Sequence, residues 1–183
     1  MRSQFGKDYD EKYNVINVGE LKERSDAWGD RSHSPEWVET SNIRWEFVWY
    51  GENAFSVPHY HPKCESNYYI HFPDDSKNRD YTAYIGWPIS EAKVINIKES
   101  HLFTFPAHLV HTFSNQGDAG VLLLHAFSPP WVRDMNQTVE VYDMMTQTYY
   151  DDGEKYGEFV NGLYEKYKNF GELCEEFKKM GIY

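Results

Sequence analysis

The sequence predicts an all-β dominated fold, a closed barrel or jelly roll, followed by C-terminal helices. Between residues 43 and 128, many short apolar or alternating segments are separated by turn residues. This pattern is typical of antiparallel strands that close on themselves and so remove exposed sheet edges. From residue 153 onward the apolar spacing becomes helical. Aromatic residues form 17% of the chain, which suits a barrel core with a wide pocket.

A chain of 183 residues fits one domain, in which the composition marks three segments. Residues 1–42 are polar and form an N-terminal arm, with a short strand expected at 15–18 and a loop at 24–30. The barrel is expected at 43–130. A helical extension packed on the barrel is expected at 131–183.

The first barrel strand, 43–50, alternates aromatic and charged residues before a turn at 51–53. Trp45, Phe47 and Trp49 share one face, which we expect to fill the core or to line a pocket. The other predicted strands are bounded by turn residues and cover 56–61, 65–71, 81–87, 92–98, 101–105, 110–113 and 121–127.

The C-terminal segment carries apolar residues at helical spacing. Pro129 and Pro130 end the last strand. A first stripe follows at i, i+3, i+4, i+7, i+8 and i+11, formed by Tyr156, Phe159, Val160, Leu163, Tyr164 and Tyr167. Gly171 interrupts it before a second stripe. We expect these helices to cover the outside of the barrel or a dimer contact, and a lid over the pocket is the alternative.

Charge and cysteine content argue against several function classes. The net charge of −11 opposes the basic surface that nucleic acid or an anionic membrane attracts. Cys64 and Cys174 are the only two cysteines of the sequence, and two widely separated cysteines give no disulfide framework and no zinc-finger spacing. No apolar run approaches the ~20 residues of a transmembrane helix, and residues 1–8 lack an apolar signal core. We therefore expect a cytoplasmic protein whose partner is a small molecule.

The most informative residues are His59, His61 and Glu65, followed about fifty residues later by His111. Alternation along a strand puts His59 and His61 on one face, and Glu65 and His111 are expected to reach the same point. Imidazole and carboxylate ligands suit Fe, Mn, Ni, Zn or Cu rather than Ca or Mg. Four such ligands on a six-coordinate ion leave two open positions, which indicates a catalytic rather than a structural site.

These residues resemble the two sequence motifs of the cupin superfamily. The first motif, His-x-His followed by three or four residues and Glu, is met by His59, His61 and Glu65. The second, with Pro, His and Asn at fixed spacing, is met by Pro106, His111 and Asn115. The resemblance covers residues 43–128. It implies a double-stranded β-helix, the jelly-roll cupin barrel, with the four metal ligands inside and a homodimer as the assembly.

The chain departs from the motifs at positions that are usually glycine. Asn53 stands where the first motif opens with Gly, and Phe72 stands where it closes with Gly. His108 replaces the glycine of the second motif, and Ser100 and His101 replace its usual Gly-Asp. These changes concern the geometry of turns and leave the predicted ligands in place.

Two further histidines are candidate catalytic residues. By strand parity His71 shares a face with Glu65 and would look into the barrel, where an imidazole can act as an acid or base near neutral pH. A hydrogen-bonded structural histidine or a solvent-facing strand end is the alternative. His125 lies in the most apolar strand, 121–127, either as a core residue or as a group that faces the metal.

The resemblance leaves the reaction open, because the superfamily includes dioxygenases, isomerases, lyases and non-catalytic binding proteins. We favour a dioxygenase-type oxidoreductase, since the four predicted ligands form a complete redox-competent shell. The alternative is a sugar or keto-acid isomerase or lyase, in which the ion is a Lewis acid and His71 or His125 moves the proton. A small-molecule-binding protein without turnover, and a dimerisation barrel stabilised by its metal, are the remaining hypotheses.

Overall fold

The computed structural model describes residues 2–3, 9–10, 15–16, 22–23, 31–33, 38–39, 44–74, 77–128, 141–150 and 153–183. The loop predicted at 24–30 lies outside these ranges. Six short strands come first: β1 (Arg2–Ser3), β2 (Tyr9–Asp10), β3 (Val15–Ile16), β4 (Lys22–Glu23), β5 (Arg31–His33) and β6 (Val38–Glu39). The strand expected at 15–18 is therefore present as β3.

Eight further strands follow, seven of them with five to eight residues, and they occupy the positions that the turn pattern predicts. They are β7 (Arg44–Tyr50), β8 (His59–Tyr60), β9 (Glu65–His71), β10 (Tyr81–Ile85), β11 (Lys93–Ile97), β12 (His101–Phe105), β13 (His111–Asn115) and β14 (Val121–Ser128). The C-terminal part contains β15 (Val141–Asp143), β16 (Thr148–Tyr150), α1 (Gly153–Lys166) and α2 (Phe170–Met180).

The strands form two large antiparallel sheets. One has the order β1-β6-β7-β14-β9-β12, with β5 also paired to β7 and β4 paired to β5. The other has the order β11-β10-β13-β8-β15-β16, and β2 pairs with β3 separately. Two antiparallel sheets with C-terminal helices confirm the predicted all-β jelly roll. The bend at residues 62–64 carries the chain from one sheet, at β8, to the other, at β9.

The main core lies between the inner faces of the two sheets. Strand β14 pairs with both β7 and β9, and its inward residues Val121 and Leu123 are 0% and 2% exposed. Opposite them lie buried aromatic side chains such as Tyr81 and Phe113. Burying one large apolar side chain stabilises the fold by about 2 kcal/mol, so this layer sets the positions of the strands.

The orientation of β7 differs from the expectation for its aromatic face. Val48 and Tyr50 are buried at 3% exposure, whereas Phe47 and Trp49 are half-buried on the opposite face. The Trp49 ring lies over Gly120, where an added Cβ would overlap the ring. Phe47 and Trp49 therefore cover the outside of the sheet, whereas Tyr50 of the same strand enters the core.

The two helices pack on the second sheet and form a second apolar cluster with it. The cluster joins Phe55, Val57 and Ile89 of the barrel to the buried residues Tyr156, Val160, Leu163, Tyr167, Phe170, Leu173 and Phe177. The break between the helices lies at 167–169 rather than at Gly171, which is inside α2. Asn169 explains the break, because its Oδ1 accepts from the Glu172 backbone N–H at 3.0 Å and so begins α2.

The hairpin of β15 and β16 was not anticipated, because residues 131–183 were expected to be helical. Strand β15 extends the second sheet next to β8, with Tyr142 opposite Tyr60 and Asp143 opposite His59. The rings of Tyr60 and Tyr142 stack with centroids 4.9 Å apart. The hairpin therefore adds residues to the part of the barrel that contains the predicted metal ligands.

Two of the residues that replace motif glycines have a left-handed backbone conformation. Asn53 has φ of 61° and His108 has φ of 67°, a region that glycine adopts freely and that asparagine and histidine tolerate better than most residues. The turns of both motifs thus keep a conformation suited to glycine. Among the described residues, no helix is long and apolar enough to cross a membrane.

Candidate metal centre

His59, His61 and His111 lie together inside the barrel. One nitrogen of each ring belongs to a group whose members are all within 4.8 Å of one another. Two ligands on opposite sides of a transition-metal ion are separated by roughly 4 Å, since each M–N distance is about 2.0–2.1 Å. The three side chains are 9%, 4% and 2% exposed. The group therefore has the donor chemistry of a metal site, and side-chain adjustments of less than about 1 Å would bring its atoms within the span of one ion.

Backbone carbonyls orient two of these rings. His59 Nδ1 donates to Val57 O at 2.6 Å, and His111 Nδ1 donates to Leu109 O at 2.9 Å. Because a carbonyl oxygen only accepts, both Nδ1 atoms carry the proton and both Nε2 atoms of the neutral rings keep a lone pair. A fixed tautomer of this kind is typical of metal-binding histidine.

The sheet register brings His59 and His111 together, because they are directly opposed in the pairing of β8 with β13. The segment before His111 is also joined to the first motif, since the His108 backbone N–H donates to His61 O at 3.1 Å. The two motif segments, distant in sequence, thus form one continuous wall of the site.

Burial keeps His111 uncharged. Burial and then the neighbouring His59 lower the pKa of His111 well below 6.5, against the raising effect of its hydrogen bond to Leu109. At neutral pH the lone pair of His111 is therefore available to a cation. Acidification favours the protonated imidazole, so any metal held here is bound less tightly as the pH falls.

Aromatic side chains surround the histidines and exclude water. The Phe105 ring stacks on His111 with centroids 4.5 Å apart, and Phe127 meets the edge of His61 at 5.0 Å. Tyr156 of α1 lies 6.2 Å from the His59 ring. An apolar surrounding of this kind strengthens electrostatic interactions inside the site.

The structure places Glu65 and His71 outside the histidine group. Both lie on the outer face of β9, where Glu65 is exposed and His71 is half-buried. Glu65 Oε1 accepts from Asn67 Nδ2 at 3.1 Å, and His71 Nδ1 lies 3.3 Å from Ser100 Oγ. The bend at 62–64 is the reason, because the chain passes there from one sheet to the other. The alternation of β8 therefore does not continue into β9, where the even-numbered residues face inward.

His125 does lie beside the site. It is 7% exposed, and its ring centroid is 5.8 Å from that of His61. Its ring also stacks on Tyr68 with centroids 4.0 Å apart and an angle of 22° between the planes. The position agrees with the hypothesis that His125 faces the metal, and its catalytic role stays a prediction.

Tyr68 is a site residue that the motif analysis missed. Its hydroxyl oxygen lies 2.9 Å from His111 Nε2 and 3.5 Å from His61 Nε2. The sequence did contain a signal for this orientation, because the strand face with Glu65, Asn67 and His71 is the more polar of its two faces. Hydrophobic alternation therefore predicts that Ser66, Tyr68 and Ile70 face inward, as they do in the structure.

The combination of two antiparallel sheets and a buried histidine group, drawn from both motif segments, decides the architecture. The chain has the cupin fold. No family model and no curated protein matches the sequence, so the resemblance within the sequence is limited to the motifs. Of the motif residues, Pro106, His111 and Asn115 lie at the loop and strand that bound the site.

Solved structures with a similar fold include an oxalate oxidase and an oxalate decarboxylase. A recombinant oxalate oxidase in complex with glycolate is 14% identical over 48% of this chain and 42% of its own, with a TM-score of 0.39. The oxalate decarboxylase of Lactobacillus farciminis, in a formate complex, is 15% identical over 69% and 34%, with a TM-score of 0.49. An RmlC-like cupin from Shewanella frigidimarina is 16% identical over 60% and 83%, with a TM-score of 0.41. The present chain spans less than half the length of the oxalate oxidase and of the oxalate decarboxylase.

Asp143 is a buried carboxylate opposite His59 in the sheet. It is 0% exposed, and its Oδ1 accepts from the backbone N–H groups of Met145 and Thr146 at 3.0 and 2.9 Å. Burial raises its pKa to about 6, although the hydrogen bonds from Thr146 and Met145 act in the opposite direction. The folded state therefore binds a proton at Asp143 more tightly than the unfolded chain does.

We expect Asp143→Asn to stabilise the metal-free protein at neutral pH. Because the pKa of Asp143 is higher in the folded state, ionisation of Asp143 lowers the free energy of unfolding as the pH rises from about 4 to about 6. Above about pH 6 this loss of stability has its full size. A pKa difference of about 2 corresponds to about 3 kcal/mol, and asparagine keeps the acceptor that the turn uses. Urea unfolding should show a gain of about 1–3 kcal/mol at pH 7.5 and little gain at pH 4.

Glu91→Gln is the matched control for this measurement, because Glu91 is an exposed carboxylate on the same barrel. It should change the free energy of unfolding by less than about 0.5 kcal/mol at either pH. If Asp143→Asn were less stable than the unsubstituted chain at pH 7.5, the conclusion that ionised Asp143 destabilises the fold at neutral pH would be wrong.

Proposed function

We propose that this chain is a metal-dependent enzyme that acts on a small organic molecule, with the ion held by His59, His61 and His111. The observation that carries the proposal is the meeting of three buried imidazoles at one point, two of them with Nε2 lone pairs fixed by backbone hydrogen bonds at Nδ1. Imidazole donors suit Fe, Mn, Ni, Zn and Cu. Three imidazoles also leave positions open on a six-coordinate ion for a substrate.

The charge of the site favours an anionic substrate. Among the described residues, no Asp, Glu or Cys joins the histidine group. A divalent ion held by neutral imidazoles keeps its full charge, and the apolar surroundings strengthen its attraction for an anion. Carboxylate, enolate or phenolate oxygens are the chemistry that such a centre binds. The rings of Phe105 and Phe127 supply an apolar surface for the rest of the molecule.

Dioxygen chemistry is the reaction that we favour. When bound, a redox-active ion such as Fe supplies electron transfer to dioxygen, and a non-redox ion supplies Lewis acidity alone. The chain itself keeps the ligands between 2% and 9% exposed, so competing reactions with water are limited. The backbone carbonyls that accept from Nδ1 of His59 and His111 leave Nε2 of each ring as the donor atom for the ion.

An isomerase or lyase on a sugar or keto acid is the second candidate, and the position of His125 favours it. A proton carrier must lie near the reacting atoms, and the His125 ring is 5.8 Å from that of His61. In this reaction His125 would take a proton from the carbon next to a carbonyl and return it to the neighbouring position.

Metal content tests the proposal first. Protein purified without added metal or chelator should contain near-stoichiometric transition metal by elemental analysis, and His59→Ala should lose it. His71→Gln should keep it, because His71 lies on the outer face of β9. A chain that takes up no transition metal even after incubation with Fe, Mn, Ni and Zn would overturn the proposal.

The reaction is then distinguished by oxygen consumption. The iron-loaded protein should consume dioxygen only when an anionic phenolic, thiol or carboxylate compound is present. Proton exchange at a keto acid or sugar, without oxygen consumption and sensitive to His125→Gln, would instead establish the second candidate. Stoichiometric metal with neither activity, in a site closed to added anions, would favour a metal that only stabilises the barrel.

A further inference from the structure

We infer that Tyr68 supplies the protein oxygen ligand that the cupin motif assigns to Glu65. The inference rests on the proposed metal site and deepens it, because it names a fourth donor and a different chemistry for that donor. Glu65 lies on the outer face of β9, whereas the Tyr68 hydroxyl reaches the histidine group from the inner face.

The distances around the Tyr68 oxygen match those between ligands of one ion. The oxygen is 2.9 Å from His111 Nε2 and 3.5 Å from His61 Nε2. Two donors each about 2.0–2.1 Å from an ion are roughly 2.9 Å apart at a right angle and roughly 3.4 Å apart at the tetrahedral angle. The oxygen thus already occupies the place of a donor next to both imidazoles.

The strand and its neighbours hold the Tyr68 ring in this position. Tyr68 is 4% exposed and lies directly opposite His125 in the pairing of β9 with β14. Its ring stacks on His125 and meets Phe113 nearly edge-on, with centroids 5.0 Å apart. A side chain packed on several sides is preorganised, so little conformational freedom is lost when its oxygen binds an ion.

Glu65 cannot take the same place without a change in the strand. Successive residues of a strand point to opposite faces, and the inward residues of β9 are Ser66, Tyr68 and Ile70, at 1%, 4% and 0% exposure. To reach the histidines, the Glu65 carboxylate would have to cross the sheet and leave its hydrogen bond with Asn67.

A phenolate ligand changes what the centre does. The hydroxyl hydrogen that lies between Tyr68 and His111 leaves as a proton to solvent when both atoms give a lone pair to the ion. The anionic oxygen would lower the net charge of a divalent site from two to one, which still attracts an anionic substrate, and would favour the higher oxidation state of a redox metal. Ferric phenolate also absorbs visible light by charge transfer, which provides a readout independent of activity.

The experiment compares the unsubstituted protein with Tyr68→Phe, Glu65→Gln and Tyr69→Phe. Tyr69 is the matched control, since it is the next tyrosine on the strand but is 44% exposed on the outer face. Each protein is loaded with Fe(II) without oxygen and oxidised with ferricyanide, and its visible spectrum is recorded. Zn affinity is measured separately by calorimetry.

We expect the charge-transfer band in every protein except Tyr68→Phe, which should also bind Zn at least ~10-fold more weakly, since loss of even an outer-shell partner of a ligand has an effect of that size. Resonance Raman excitation of the band in the unsubstituted protein should show phenolate ring vibrations, a test that does not depend on folding of any variant. A band retained in Tyr68→Phe, or lost in Glu65→Gln, overturns the inference while metal binding still stands. Failure of the unsubstituted protein to bind any metal overturns both the inference and the proposed function.

Discussion

His111→Ala is expected to weaken binding of Zn or Mn by at least ~100-fold, or about 2.7 kcal/mol, while the barrel remains folded. His111 is the most buried of the three histidines, at 2% exposure, and it is opposed to His59 in the sheet. Its Nε2 also contacts the Tyr68 hydroxyl. The substitution therefore removes a donor and one of the contacts that position another, and no described carboxylate lies in the group to replace it.

Equilibrium dialysis with Zn and Mn, together with circular dichroism, measures the effect of His111→Ala on binding and on folding separately. His101→Gln serves as the control, because His101 is a half-buried histidine of β12 whose Nδ1 donates to Glu99 O at 2.8 Å, away from the group. The control should bind metal as the unsubstituted chain does. Full metal retention by His111→Ala would remove His111 from the proposed ligands.

Asn115→Ala is expected to lower the free energy of unfolding by about 2–4 kcal/mol, because it leaves buried carbonyls without a donor. Asn115 is 0% exposed. Its Nδ2 donates to Gly51 O at 2.7 Å and to Ala119 O at 3.0 Å, and its Oδ1 accepts from the Gly117 backbone N–H at 3.2 Å. One side chain thus joins the turn after β7 to the turn between β13 and β14.

Thermal unfolding of Asn115→Ala should show a melting temperature lower by roughly 10 °C, given about 2–4 °C per kcal/mol for a chain of this size. Gln116→Ala is the control, since Gln116 is the exposed neighbour and the substitution keeps its backbone N–H, which donates to Asp80 O at 2.7 Å. It should change stability by less than about 0.5 kcal/mol. Equal stability of the two variants would show that the Asn115 bonds are weak.

Asn115 also shows what motif reasoning can and cannot provide. The resemblance identified Asn115 as part of the second motif but assigned it no role, because its partners at Gly51 and Ala119 are not deducible from spacing. Asn53 and His108 are a similar case. The sequence marks them as replaced glycines, and only the backbone shows φ of 61° and 67° there.

The strands and the three imidazoles were predictable from the chain alone, for a local reason. Strand positions follow from alternation and turn residues, and the pair His59 and His61 follows from the two-residue repeat of a strand. His111 was predictable as a third donor through its motif. These features depend on neighbours in sequence or on a recurrent pattern, so the tertiary structure had little to add to them.

The fourth donor, by contrast, depended on the tertiary structure. The bend at 62–64 transfers the chain between sheets, and a shift of one residue in a strand exchanges its two faces. That exchange places Glu65 and His71 outside and Tyr68 inside. Asp143 reaches its position opposite His59 only because β15 adds to the edge of β8. The sequence by itself determined which donor side chains the chain offers. Which of them meet was decided by the tertiary structure, because it sets which face of each strand lies inside the barrel.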